Sequence, residues 1–237
     1  MGSISSVFVF IITLASTEAA KFDCIVEVLS QHFKLRDLGP TTQLLGMDIH
    51  RDCPNHRLYL SQSQHIANLL QEHGLQDCKP VSTPLNPGSR LSTSISPQND
   101  AEASEIHQYP YISVVGSLMY LAVTTRSVIA YAARVLARFN SNPDPAHWQA
   151  AKHVLHYLKG TMDHSIVYQP SDSPEPFTIY SDADHGGNPE NGKSTGGYVA
   201  EIGSGVVSWS LKLQTLVALS TTEAEHISTV EAGNEIL

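Results

Sequence analysis

FTIYSDAD, from Phe177 to Asp184, reads as a short strand carrying Phe177, Ile179 and Tyr180 that delivers Asp182 and Asp184 at its end. Beyond it lie KSTGGYVAEI and GVVSWSLKL, two β-branched and aromatic runs separated by Gly203, Ser204 and Gly205, which predict an antiparallel hairpin. ALSTTEAE, Ala218 to Glu225, then supplies Glu223 and Glu225 on a helix. The order is acidic strand, hairpin, acidic helix. Paired carboxylates on rigid elements are how proteins hold divalent metals for phosphodiester hydrolysis, so metal-dependent hydrolysis is the first functional expectation. On residue types alone, a turn after a strand is the slightly favoured reading of Asp182 and Asp184, because HGGNPENGK behind them is loop-like.

The blocks YSDAD, KSTGGY, SW and VALSTTEAE together resemble the ribonuclease H domain of copia-type LTR retrotransposon polyproteins. Upstream, FKLRDLGPTTQLLGMDI, LYLSQSQHI, KPVSTPL, VGSLMYLAVTTR and HWQAAKHVLHYLKGT resemble the segment of that polyprotein between polymerase active site and nuclease. Collinear blocks over about residues 22 to 237 are far more specific than one short motif. The resemblance implies an α+β chain in four parts. These are a reverse transcriptase palm/thumb remnant (1–78), an extended linker (79–105), a helical connection region (106–170) and an incomplete ribonuclease H-like domain of three strands and first helix (171–237). It implies Mg2+ as cofactor, with Asp182 as first-strand ligand, Glu225 as helix ligand and Asp184 peripheral. RNA–DNA hybrid or other nucleic acid is the implied ancestral partner, beside other polyprotein-derived chains and no membrane.

Departures from the family pattern predict inactivity. Where the polymerase strand carries two adjacent aspartates, this chain offers Phe10 and Ile11, with no Asp or Glu before Glu18. The family nuclease takes a third aspartate from a later strand, whereas this chain ends at Leu237, so at best two ligands are expected. Asn188 stands where the family often has an acid, and SWSLKLQ is less basic than its counterpart. The competing expectation is a non-catalytic nucleic-acid or protein binding module.

At 237 residues and 41% hydrophobic content the chain builds packed cores, and a formal charge of −9 opposes bulk coating of nucleic acid. Charge is uneven: residues 126–160 hold Arg126, Arg134, Arg138, Lys152 and Lys159 against Asp144 alone, a net +4 that leaves −13 elsewhere. That segment reads either as a basic saddle for a hybrid duplex or as an ordinary solvated helix face. Cys24, Cys53 and Cys78 have neither zinc nor disulfide spacing, and His153 and His156, one turn apart, lack further ligands and read as exposed helix positions. VFVFIITLA, Val7 to Ala15, lacks a basic lead and is too short to span a bilayer, so it reads as a buried strand rather than a signal peptide. The chain is expected to be intracellular, in cytoplasm or nucleus, and not secreted.

Helices are expected over Lys21–Phe33, after a Ser61/Gln64 capping box with Gly74 as stop, over Tyr111–Ala122, over Ser127–Phe139 with Tyr131 inside, and from Pro145 to Lys159 after an Asp144 cap. TQLLGMDIHRD and RLYLSQ predict a hairpin around Cys53–Pro54–Asn55. Pro80, Pro84, Pro87 and Pro97 exclude regular structure across the linker, which reads as a hinge.

Overall fold

Asp144, Pro145, Lys159 and Gly160 set the best-specified element of the fold. In a computed structural model, which describes residues 12–14, 19–86, 88, 91–92, 97, 106, 108–170, 177–188 and 190–235, the corresponding helix runs Pro145–Gly160. Its Asp144 side chain accepts from the Ala146 N–H at 2.7 Å, and the Asp144 N–H donates to His147 Nδ1 at 2.9 Å. Those bonds satisfy backbone donors that a helix start leaves open. The expected strand at Val7 to Ala15 lies almost wholly outside the described residues, and 12–14 form no regular element.

The chain divides into two units, Met1–Thr42 and Gln43–Leu237. The first holds α1 (Ala19–Ser30), which stops short of Phe33 and leaves Ile25 and Val26 exposed. The second crosses all three expected boundaries, at 78/79, 105/106 and 170/171.

Within it, β1 (Gln43–Leu44), β2 (Met47–Asp52), β3 (Arg57–Ser61) and β4 (Ile166–Tyr168) form one antiparallel sheet in that order. The β2–β3 turn is fixed by Asp52, whose carboxylate accepts from the Asn55 side chain at 2.7 Å. Pairing of β3 with β4, Leu60 opposite Ile166, joins segments a hundred residues apart. Next come α2 (Ser63–Glu72), α3 (Tyr111–Thr124), a 3-10 turn (Ser127–Ile129), α4 (Ala130–Ala137) and α5 (Pro145–Gly160). Helix α2 starts after Gln62 with no side-chain cap, so the expected Ser61/Gln64 box does not form; Gln62 instead turns inward. Its far end closes as a Schellman motif, with Leu75 N–H on the Leu70 carbonyl and Gly74 at φ 64°. Ile66, Leu70, Val114, Leu118, Leu136 and Leu155 lie in one apolar core built by these helices. Tyr131, expected in that core, is 51% exposed because α4 buries Ala132, Ala133 and Leu136 instead.

The linker is not a hinge where it is described. His156 Nδ1 bonds the Lys79 carbonyl at 2.8 Å and His153 Nε2 the Thr83 carbonyl at 3.0 Å, strapping it along α5.

The second sheet is an antiparallel meander, β5 (Phe177–Ala183), β6 (Thr195–Ile202) and β7 (Gly205–Leu213), followed by α6 (Thr221–Asn234). Gly203, at φ 61°, makes the tight β6–β7 turn that a side chain would strain. The meander is tied to the helices by Trp209 Nε1–H donating to the Ala122 carbonyl at 2.8 Å, and to the first sheet by the Tyr168 hydroxyl on the Val206 carbonyl at 2.7 Å. The coarse expectation of a mixed α+β chain therefore matches the observed architecture.

Candidate functional site

Helix α6 lies across β5 and β6 at close range because β6 has glycine where they meet: a Cβ at Gly196 would overlap the Ser228 hydroxyl. Gln214, buried just after β7, donates from Nε2 to the Ala224 carbonyl at 2.8 Å and so holds the first turn of α6 down. Ser181 Oγ meets Thr229 Oγ1 at 3.2 Å, joining β5 to α6 directly.

Side chains alternate along a strand, so Ser181 on the α6 side puts Tyr180 and Asp182 on the other. There they line a cleft of about 460 Å³, with Asp184, Val128, Tyr131 and Trp209 among its other walls. Asp182 Oδ1 accepts from the Ala183 N–H at 2.9 Å. Asp184 is more committed: its Oδ1 accepts from Thr195 N–H at 2.6 Å and its carboxyl group packs against Gly187, which closes the loop onto β6.

On α6 the two glutamates differ. Ser220 Oγ accepts the Glu223 N–H at 3.1 Å, and Glu223 Oε2 reaches back to the Leu219 N–H at 2.7 Å. Glu223 therefore serves the helix start, one residue earlier than the Ser220 amide a standard capping box would use. Glu225 is half-buried and its carboxylate makes no hydrogen bond among the described residues. Thr229 Oγ1–H donates to its carbonyl at 2.9 Å, one turn on.

Mg2+ takes oxygen ligands, and Asp182 and Glu225 are the right chemistry. Two carboxylates fall short of the several that balance a metal pair, and no group of three or more His, Cys, Asp or Glu converges among the described residues. The donor set does not fit a two-metal clamp.

Of the five basic residues expected to form a saddle for nucleic acid, Arg126 is buried, and Arg134, Arg138 and Lys152 are half-buried and make contacts within the protein. Arg126 is 2% exposed; its Nη1 donates to the Thr161 carbonyl at 2.6 Å and its Nη2 to the Thr161 hydroxyl. Burial pulls its pKa below the usual arginine value. Arg134 donates to the Leu211 carbonyl at 2.5 Å, and Arg138 pairs with Glu190 at 2.6 Å, both binding the helices to the meander. Lys152 lies over the Trp148 ring at 5.8 Å, and Lys159 is half-buried at the end of α5. Arginine count alone gave no sign of this; the nearest signal was the position of Arg126 between two apolar helices.

Comparison with known proteins places the chain. Residues 3–87 match the family model described as reverse transcriptase (RNA-dependent DNA polymerase). The chain is 43% identical, over 88% of its length, to the retrovirus-related Pol polyprotein from transposon TNT 1-94 of Nicotiana tabacum. It spans only 16% of that polyprotein and 14% of the RE1 Pol polyprotein of Arabidopsis thaliana, to which it is 36% identical. Against the Ty5-1 transposon protein YCL074W of Saccharomyces cerevisiae it is 33% identical over 98% of its own length and 73% of that protein. No solved structure matches.

Proposed function

Because this chain belongs to the Pol polyprotein family of copia-type retrotransposons, we propose that it is the part of such a polyprotein where reverse transcriptase passes into ribonuclease H, and that the 237-residue chain catalyses neither reaction. In this reading 1–78 derive from palm and thumb, the helices α3 to α5 from the connection, and β5 to α6 from the nuclease. Asp182 and Glu225 are then the two carboxylates inherited from its Mg2+ site, although here Asp182 faces the cleft and Glu225 sits on α6 across β5, with RNA–DNA hybrid the ancestral substrate and cytoplasm or nucleus the location. Among the described residues no helix is long and apolar enough to cross a membrane.

The observation that carries the reading is the division of labour on α6: Glu223 is held by the Leu219 amide while Glu225 is left unengaged. Helical rotation of about 200° between them means that they face different ways, so only one can be a candidate ligand. Hybrid cleavage in magnesium and in manganese tests the proposal. No cleavage above an Asp182→Asn control is expected; robust cleavage lost in that variant would overturn the inactivity and keep the site.

A further inference from the structure

We propose that Asn191 is a modification site, where attack by the Gly192 backbone nitrogen converts the side-chain amide to a carboxylate at a rate set by opening of the Gly192–Asn188 hydrogen bond. The proposal is independent of the metal reading.

Among the asparagines of the chain, Asn191 alone is followed by glycine. Glycine sets no Cβ beside the attacking nitrogen, so its approach to the preceding side chain is unhindered. Asn188 is followed by proline, whose nitrogen has no hydrogen to lose, which bars it from the same reaction. Asn191 and Gly192 are both exposed, so water reaches them.

The step needs water and no oxidant or reductant. Gly192 N gives its proton to solvent base and bonds to Asn191 Cγ; the Cγ–Nδ2 bond breaks, and ammonia leaves carrying a proton from water. Water then opens the five-membered succinimide at either carbonyl, which leaves aspartate or isoaspartate at 191.

Two hydrogen bonds act on this step in opposite directions. Lys193 N–H donates to Asn191 Oδ1 at 3.1 Å, which curls the side chain back over Gly192 and polarises the carbonyl under attack. Gly192 N–H donates to the Asn188 carbonyl at 2.8 Å, and that bond has to open before the nitrogen can lose its proton. The second bond sets the rate. It is supported by Asn188 N–H on the Lys193 carbonyl at 3.1 Å, by Glu190 N–H on Asn188 Oδ1 at 3.0 Å and by the Arg138–Glu190 pair at 2.6 Å.

The product changes the charge beside α4. Asn191 and Glu190 line a pocket of about 200 Å³ together with Arg134 and Arg138. Burial and then the nearby Arg138 charge lower the Arg134 pKa, with Glu231 acting the other way. A carboxylate at 191 places a further negative charge next to both guanidiniums, whereas isoaspartate lengthens the backbone by a methylene and disrupts the Gly192–Asn188 closure.

The test is peptide-resolved mass spectrometry of the full chain incubated at neutral pH beside a free Glu-Asn-Gly-Lys-Ser-Thr peptide, with hydrogen exchange of the Gly192 amide measured on the same protein. The mass gain of an amide-to-acid change is expected at Asn191, slower than in the peptide by the factor that protects the Gly192 amide, about tenfold for one closing hydrogen bond. Arg138→Ala is expected to raise both rates about threefold, the scale of one partly exposed ion pair. Exchange and mass gain report the same opening in the unaltered protein, so a misfolded variant cannot produce their agreement. A gain as fast as in the peptide while the Gly192 amide is protected would overturn the proposal. So would absence of the gain after the time that the measured protection allows, or a gain confined to other asparagines.

Discussion

Arg126, at the end of α3, donates to the carbonyl of Thr161, just past the end of α5, at 2.6 Å. Two helix C-termini, each with unpaired carbonyls, are thereby joined by one buried cation. Arg126→Ala is expected to lower stability by about 3 kcal/mol, because it removes a buried side chain, opens a cavity and leaves the half-buried Thr161 carbonyl without this donor. Urea unfolding measures it. An unchanged midpoint together with weakened hybrid binding would return Arg126 to the role expected from charge alone.

Gly196 and Ser228 set the distance between β6 and α6. Gly196→Ala is expected to cost about 2 kcal/mol, since an added methyl must displace a helix already in contact. Ser228→Ala removes the overlapping hydroxyl, so the double variant should recover most of that loss in a thermal unfolding series. Equal, additive losses would show that the close approach is unimportant.

His147 is fully buried, stacked on Phe139 with ring centroids 3.9 Å apart, and burial lowers its pKa. Its Nδ1 accepts the Asp144 N–H, so protonation there would break the α5 cap. The sign follows: a histidine with depressed folded pKa contributes stability above its unfolded pKa of about 6.5, lost as pH falls through the folded value. Chemical denaturation from pH 7.5 to 5 should show stability falling, with a shallower slope in His147→Gln. A wild-type slope of the opposite sign would exclude a buried neutral imidazole.

These residues also mark how far sequence reading reached. Local signals carried well: Asp144–Pro145 opened α5, Gly74 closed α2, and Gly203–Ser204 turned β6 into β7, because caps and tight turns are written within a few residues. Long-range partners did not. Nothing near Leu60 announces Ile166, and the linker prolines exclude regular structure without revealing that His153 and His156 hold the strand down. Arginine gives the same lesson, since its charge is legible and its burial is not. At the candidate site the capping duty of Glu223 was readable from Ser220 three residues before it, whereas the turning of Ser181 rather than Asp182 toward α6 emerges only from the tertiary structure.

Glu223 and Glu225 stand two residues apart on α6 and should respond oppositely to mutation. Glu223 Oε2 satisfies the Leu219 N–H, a donor just outside the helix that would otherwise turn to water. Glu223→Ala is therefore expected to destabilise the chain by about 1 kcal/mol, the usual worth of a reciprocal cap. Glu225 makes no side-chain hydrogen bond among the described residues, so Glu225→Ala should change stability by less than about 0.5 kcal/mol. Metal response should run the other way: paramagnetic broadening by Mn2+ at the β5 amides should weaken in Glu225→Ala and persist in Glu223→Ala. Because the helix start is intact in the first variant and weakened in the second, loss of broadening in Glu225→Ala alone cannot be a folding effect. Broadening that follows Glu223 instead would reverse the assignment of the helix carboxylate.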